Sequence, residues 1–460
     1  MKKNIINSIF GLAVASLMLT ACSSADDAVT QSPTAPVDDT AINFGAYMNR
    51  TTTRGAYEGE LTTATLQGAA NGFGVLAYYT DNQPYNPNAT PNFMYNQQVK
   101  YDAGSWTYSP LKYWPNEFGE NATSTGIDKL SFFAYAPYVA VDAVTGYALP
   151  EEDENTGEEI IKDYGIVGMI RSAENGNPKV RYYVSLDPST QVDLCWSSPV
   201  INKVKTDYTL SGDGSQVTFN FNHALASLNV QIDAMFDESA PGTNDLDPNT
   251  RIWVRSVTFE GLALKGELNL NNDVMTAPEW NDLYSNGLLI GEPVTIYDGR
   301  RDGREGVAAM PNEKPVAINE NLVQSGAYAH NATSITAPDA PGVTKTAVNL
   351  FKADDEAAPI YVIPTGEPLR ITIVYDVETV DDNLVSSFLS DNLTHGVSVE
   401  NTISKTVLLD PDDPESGLTL DAGKQYTINL HLGMSSVKTT ATVANWTNGD
   451  DAETDLPANE

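Results

Sequence analysis

Cys22 is the residue with the clearest chemistry in this 460-residue chain. It follows Leu19, Thr20 and Ala21, and a cysteine after small residues at the end of an apolar export signal favours cleavage there and acylation of the new N-terminus. The apolar stretch over residues 5–19 is shorter than the roughly 20 residues of a spanning helix. The sequence therefore predicts acyl chains such as palmitate on Cys22, with an ordinary signal peptide and a coincidental cysteine as the alternative.

Two arginines, Arg50 and Arg54, lie in a polar loop over residues 49–55 that carries no bulky apolar side chain. Exposed loops with small and polar residues are the preferred sites of proteolytic nicking. The loop is therefore predicted to be cleaved by a protease of trypsin-like specificity, with Arg54 as the preferred site and Arg50 as the second choice.

Motifs for metal, cofactor or nucleophilic chemistry are missing from the sequence. His223, His330, His395 and His431 are scattered singly, without an HExxH or CxxC pattern. The glycines of residues 72–77 open a strand instead of joining a strand to a helix, so they do not predict a dinucleotide site. We expect no metal, no cofactor and no enzymatic activity, although a pair of carboxylates for glycosidase chemistry stays open. Cys195 is expected to be a small buried apolar side chain.

The charge balance excludes one class of partner. The chain has 26 Lys and Arg against 61 Asp and Glu, a formal net charge of −35, which would repel a phosphate backbone. Hydrophobic residues make up 41% and charged residues 19%, which is too apolar for a disordered chain and too polar for an integral membrane protein. No nucleic-acid partner is expected, and membrane contact is expected only through the lipid of the precursor.

The elements that must position these residues are predicted to be strands. Residues 42–48 alternate apolar and other side chains, the period-2 pattern of a strand with one buried face. Similar short runs recur along the chain, the last over residues 437–443, and only residues 381–393 look able to form a short helix. The predicted fold class is all-β, with two β-sandwich domains in tandem. The predicted domains are a signal peptide (1–21), a lipidated leash with a removable first strand (22–54), an N-terminal sandwich (55–210), a C-terminal sandwich with a closing strand (211–446) and an acidic tail (447–460).

Several motifs, in this order, resemble those of the Bacteroidetes fimbrillin family. They are a lipobox, a strand ended by Thr53-Arg54-Gly55, and the runs at 73–78, 113–115, 130–137, 219–228 and 423–430. The resemblance covers nearly the whole chain. It implies a type V pilus subunit of two transthyretin-like β-sandwich domains, delivered as a lipoprotein to the outer membrane and cell surface and assembled into a fimbrium that serves adhesion.

The resemblance also implies roles for two strands. An arginine-specific protease would remove a first strand whose inward residues are Ile42, Phe44, Ala46 and Met48, and a neighbouring subunit would fill the groove with its closing strand, through Val437, Thr439, Ala441 and Val443. A strand excised at an arginine loop would leave an apolar groove and unpaired backbone groups, which favours replacement by another strand. The expected partners are other pilus subunits and the protease. The alternatives are a non-polymerising surface lipoprotein that binds glycans, a tip adhesin or a pilus anchor.

Overall fold

The computed structural model describes residues 41–48, 62–68, 72–115, 128–152, 156–157, 159–161, 163–208, 216–234, 250–274, 277–285, 292–298, 348–353, 356–381, 396–408, 417–432, 437–445 and 454–455. These ranges contain strands β1 to β26, one helix, α1 (Thr63–Gly68), and two 3-10 turns, Pro188–Thr190 and Lys205–Tyr208. The predicted all-β class is therefore confirmed.

The strands of the first half are β1 (Phe44–Met48), β2 (Phe73–Tyr79), β3 (Met94–Asp102), β4 (Ser105–Thr107), β5 (Leu130–Ala136), β6 (Glu151–Glu152), β7 (Glu159–Ile160), β8 (Gly165–Met169), β9 (Lys179–Tyr183), β10 (Cys195–Ser197), β11 (Val200–Lys203), β12 (Val217–His223) and β13 (Ala226–Ala234). Those of the second half are β14 (Thr250–Glu260), β15 (Lys265–Asn269), β16 (Glu279–Tyr284), β17 (Val294–Asp298), β18 (Val348–Asn349), β19 (Lys352–Ala353), β20 (Glu356–Ala357), β21 (Ile360–Val362), β22 (Arg370–Asp381), β23 (Gly396–Leu408), β24 (Lys424–Leu432), β25 (Val437–Asn445) and β26 (Thr454–Asp455).

An eight-stranded sheet runs in the order β1-β12-β10-β5-β2-β3-β4, with β11 also paired to β5. Its central strands β2 and β5 have sequences FGVLAYY and LSFFAYA, nearly continuous apolar runs. Such runs are typical of strands that are buried on both faces. Both strands are indeed buried along almost their whole length, so this sheet separates two apolar cores.

The first core lies on one face of this sheet. It comprises Ile42, Phe44, Ala46, Met48, Leu66, Phe73, Val75, Ala77, Met94, Val99, Trp114, Leu130, Phe132, Ala134, Ala136, Cys195, Val217, Phe219 and Phe221. Strands β1 and β4, the two ends of the sheet, contact each other, and Ala41 bridges to Tyr113 just after β4. The sheet therefore curls around the first core until its edges meet.

The second core lies on the other face and is larger. It combines Leu76, Tyr78, Phe133 and Tyr135 of β2 and β5 with buried residues of β8, β9, β13, β14, β15, β17, β21, β22 and β24. Three further sheets surround it, in the orders β18-β13-β24-β25-β26, β17-β14-β22-β23 and β16-β15-β9-β8. Residues 39–460 form one compact unit.

The structure adds detail to the expected organisation. Strand β12, which begins the second predicted domain, lies in the eight-stranded sheet of the first half, and β9 of the first half pairs with β15 of the second. The division into two sandwiches at residue 210 stays a prediction. Helix α1 was not expected, and the helix expected over 381–393 lies almost wholly outside the described residues. In the acidic tail, Thr454 and Asp455 pair with β25.

Candidate functional site

The backbone of β1 is held at an edge of the eight-stranded sheet. It pairs with β12 in parallel, from Phe44 opposite Val217 to Met48 opposite Phe221. The Val217 amide donates to the Asn43 carbonyl over 2.8 Å, and the Ile42 amide donates to the Lys112 carbonyl over 2.9 Å. Because only five residues pair, backbone hydrogen bonds alone stabilise the position of this strand weakly.

The side chains of β1 fill the first core. Ile42, Phe44, Ala46 and Met48 are all buried, whereas Tyr47 on the opposite face is 45% exposed. This confirms the inward face that alternation predicts. Full burial of a large apolar side chain contributes roughly 1.5–3 kcal/mol, so the side chains dominate the hold on this strand.

Phe44 sits in an aromatic slot made by Tyr108, Phe132 and Phe219. Its ring centroid lies 5.7 Å from that of Phe219, in a stacked arrangement. It lies 5.2 Å from the ring of Tyr108 and 6.0 Å from that of Phe132, which it meets edge to face. Aromatic pairs in these geometries add about 0.5–1.5 kcal/mol beyond area burial. Removal of β1 would therefore empty a shaped aromatic slot.

Two side chains from the body tie the ends of the strand. The Tyr108 hydroxyl donates to the Ile42 carbonyl over 2.8 Å and accepts from the Lys112 amide over 3.2 Å. Burial raises the pKa of Tyr108 to about 12, so this hydroxyl stays protonated and able to donate at neutral pH. At the other end, the Met48 amide donates to the Thr63 hydroxyl at the start of α1 over 3.1 Å.

The predicted lipidation and cleavage residues, Cys22, Arg50 and Arg54, lie outside the described residues. The described residues on either side of them show which elements a cut at either arginine would separate. Strand β1 ends at Met48, and the described chain resumes at residue 62, just before α1. Cleavage after either arginine would separate all of β1 from the body and leave α1, with Leu66 in the first core, attached to it.

The closing strand β25 is paired within its own chain. It forms an antiparallel ladder with β24 from Val437 opposite Leu432 to Asn445 opposite Lys424, and its other edge meets β26. Ala441 is buried and Val443 is partly buried against the second core, on the side predicted to point inward. Val437 and Thr439 belong to the same strand. The four predicted donor residues thus share one strand, which has to leave β24 before it can pair elsewhere.

Three side chains with metal-binding chemistry meet beside the first core. Cys195 of β10 lies directly opposite His223 of β12, and Asp193 precedes Cys195 by two residues. The His223 Nδ1 atom is 2.8 Å from Asp193 Oδ2 and 3.6 Å from Cys195 Sγ. Cys195 is buried, as expected, and Asp193 is fully buried as well. Reasoning from the sequence missed this cluster because its members follow no local motif.

The sequence also did not predict the hydrogen bonds that Tyr108 and Thr63 make with Ile42 and Met48. Neither residue carries a sequence signal that distinguishes it from other tyrosines and threonines. The cluster at Cys195 has a weak signal: His223 continues the inward series of Val217, Phe219 and Phe221, so a polar side chain there must find a partner.

None of the helices within the described ranges has the length and hydropathy that a membrane span needs.

Comparison with known proteins gives two sequence matches. The model of the fimbrillin-like family matches residues 61–288. The fimbrium subunit Fim1C of Phocaeicola vulgatus is 26% identical over 420 residues, which cover 86% of this chain and 86% of that protein. Among solved structures, a fimbrial protein from Bacteroides vulgatus covers 89% of this chain and 100% of its own, with 20% identity and a TM-score of 0.45. Because this TM-score is low, the structural likeness carries no argument, and the comparison with the fimbrillin-like family rests on the two sequence matches.

Proposed function

Because the chain belongs to the Bacteroidetes fimbrillin family, we propose that it is a structural subunit of a surface fimbria that is exported as a lipoprotein, cleaved at an arginine and polymerised by strand exchange. Its role is assembly and adhesion, without catalysis. The precursor is anchored to the outer membrane through Cys22, and its partners are an arginine-specific protease and other fimbrial subunits.

The observation that carries the proposal is the way β1 is held. Four inward side chains fill the first core, the ladder to β12 is short, and the strand ends at Met48, just before Arg50 and Arg54. Loss of this strand would uncover the aromatic slot and one edge of β12. An apolar groove beside an unpaired strand edge is the arrangement that β-strand addition completes.

The closing strand supplies a donor with matching alternation. Val437, Thr439, Ala441 and Val443 stand at every second position, as Ile42, Phe44, Ala46 and Met48 do. Its nine-residue ladder with β24 holds it in the monomer, so exchange requires a groove on a cleaved neighbour that compensates for that ladder.

The test is the double variant Arg50→Ala/Arg54→Ala, followed by mass spectrometry of the mature N-terminus, denaturing gels of unboiled samples and electron microscopy. We expect the wild type to begin at Thr51 or Gly55 and to form fibres, and the double variant to remain a lipidated monomer. Fibres from the double variant would overturn cleavage-dependent assembly. Arg50→Lys/Arg54→Lys is the matched control for charge, because it keeps two cations but removes the residue that an arginine-specific protease reads.

Export is tested separately. If Cys22 is acylated, Cys22→Ser gives an unprocessed or mislocalised precursor. Normal surface delivery of the serine variant would contradict the lipoprotein route and leave strand exchange untouched.

A glycan-binding lipoprotein would use exposed aromatic platforms. Among the described residues the largest fully buried side chains are instead aromatic, led by Trp196, Tyr78 and Tyr135, and they pack in both cores. The exposed aromatic side chains in the same ranges are four tyrosines, Tyr47, Tyr113, Tyr147 and Tyr284. This supports a structural use of the aromatic residues. A stable lipidated N-terminus at Cys22 on mature cells would favour the binding lipoprotein or an anchor.

A further inference from the structure

We propose that Asp193, Cys195 and His223 form a binding site for one divalent cation, with zinc as the best match to their thiolate, imidazole and carboxylate atoms. Thiolate and imidazole are the ligands that zinc prefers, and a carboxylate is a common companion. Within the described residues, these three ligand atoms all lie within 4.8 Å of one another.

The sheet holds the three side chains in place before any metal arrives. Cys195 and His223 are directly opposite each other in the antiparallel pair of β10 and β12. Asp193 shares the face of Cys195 because side chains alternate along an extended chain. The Ala224 amide donates to the Leu194 carbonyl over 2.8 Å, which continues the pairing beyond β10 and fixes the Asp193 backbone beside His223.

The distances are close to those of a tetrahedral site. Zinc bonds of about 2.0 Å to nitrogen and 2.3 Å to sulfur place those two ligand atoms about 3.5 Å apart. The Nδ1 atom of His223 is 3.6 Å from Cys195 Sγ. The 2.8 Å contact between Nδ1 and Asp193 Oδ2 is a hydrogen bond and must open by about half an ångström to admit the metal.

The same geometry does not fit a nucleophilic triad. In a triad the imidazole uses one nitrogen for the nucleophile and the other for the carboxylate that orients it. Here Cys195 and Asp193 both approach Nδ1. Convergence of sulfur, oxygen and nitrogen on one point suits a shared cation.

Charge and protons balance on binding. The Nδ1 proton that His223 donates to Asp193 must leave, so the ring carries its proton on Nε2 and coordinates through the Nδ1 lone pair. The Cys195 thiol releases its proton to solvent as the sulfur–metal bond forms. One thiolate and one carboxylate then neutralise the dication, which suits a site where Asp193 is fully buried. The His223 side chain is 13% exposed, so a water molecule can complete the fourth position.

A cation at this position would brace the strand that receives β1. It would link β10 to β12, and Met48 of β1 lies opposite Phe221, two residues before His223. The cluster is therefore at the end of the slot that the first strand fills, and metal binding would hold β12 to its other neighbour whether or not β1 is present.

The test uses the full chain with Cys22→Ser, in which Cys195 is the only thiol, titrated with cobalt(II) and then zinc. We expect one equivalent of cobalt to give a sulfur-to-cobalt charge-transfer band and the intense visible bands of tetrahedral cobalt, both bleached by one equivalent of zinc. Absence of the charge-transfer band in this folded parent would overturn the proposal and leave a hydrogen-bonded structural cluster only.

Variants locate the site. Cys195→Ser should abolish the charge-transfer band, and His223→Gln should weaken zinc binding by about 100-fold or more, because even loss of an outer-shell partner costs 10–100-fold. His431→Gln is the matched control for histidine loss and should bind as the parent does. Equal zinc affinity in Cys195→Ser, with the fold verified by circular dichroism, would refute the ligand set. If the variants fail to fold, the band in the parent decides the question by itself.

Discussion

Strands β1 and β25 lie near opposite ends of the described chain and are paired in different ways. Strand β1 has five residues and pairs in parallel with β12; together with Ile42 just before it, it buries four apolar side chains in the first core. Strand β25 has nine residues, forms an antiparallel ladder along its whole length with β24, and contacts β26 on its other edge. The first strand thus combines a short ladder with buried side chains, whereas β25 has a ladder of nine residue pairs and a neighbour on each edge.

This difference bears on the strand exchange proposed above. A strand that is held by its side chains leaves a shaped apolar groove when it departs, and such a groove selects its replacement by shape. A strand that is held by its ladder brings backbone groups that any exposed edge can satisfy. In the proposed strand exchange, the groove left by β1 would select the incoming strand by shape, and β25 would supply the backbone groups that complete the ladder.

The largest effect is expected when a charge is placed on the donor face. Val443→Asp should leave a monomer that is folded and cleaved, because Val443 is only partly buried, but it should abolish donation, since a carboxylate would enter an apolar groove unpaired. Gels of unboiled samples and electron microscopy measure this. Val443→Thr, which keeps the shape, is the control, and fibres of normal length from Val443→Asp would remove β25 from the donor role.

The next largest effect is expected in the aromatic slot. In the uncleaved precursor, Phe44→Ala should lower the free energy of unfolding by about 3–5 kcal/mol, because it removes a buried ring from between three others. Urea denaturation measures the loss. Tyr47→Ala, on the exposed face of the same strand, should change stability by less than about 0.5 kcal/mol. Equal losses at the two positions would show that the ladder holds β1 after all.

A smaller effect is expected from the tether at Ile42. Tyr108→Phe removes the hydroxyl that donates to the Ile42 carbonyl and should cost the precursor about 1 kcal/mol. After β1 has been cut away, the same substitution should lower the free energy of unfolding by less, because the Ile42 carbonyl that accepted this hydrogen bond is removed with the strand. If the loss of stability is the same before and after cleavage, the hydroxyl stabilises the protein only through its contact with Lys112, and the tether to Ile42 is refuted.

The smallest effect is a pH dependence. The pKa of Tyr108 is about 12 in the folded protein and about 10 for an ordinary tyrosine, so the folded state favours the protonated form. Its contribution to stability is complete below pH 10 and is lost as the pH rises to 12. The stability difference between the wild type and Tyr108→Phe should shrink over that window in urea titrations, and a constant difference would contradict the role of the proton.

Alternation was sufficient to predict the inward face of the first strand, because a strand with one buried side imposes a period of two on its sequence. Ile42 and Met48 are buried as that pattern requires. The partner of this strand had no such signal. The pairing of β1 with β12 depends on residues far apart in the sequence, and the meeting of Cys195 with His223 depends on the register between β10 and β12. Register is set by the whole sheet, so composition and spacing could not reveal either contact.

The parallel pairing of β1 has a consequence for the order in which the chain folds. Residues 44–48 come before the other described strands in the sequence, but their partner β12 lies at 217–223, after most of the eight-stranded sheet. Contacts between distant segments form late, because the loop that joins them must first be closed. We therefore expect β1 to join its sheet late, after the rest of the body has formed. Cleavage would return the finished subunit to the stage before β1 joins, with the vacancy open to a strand from another chain.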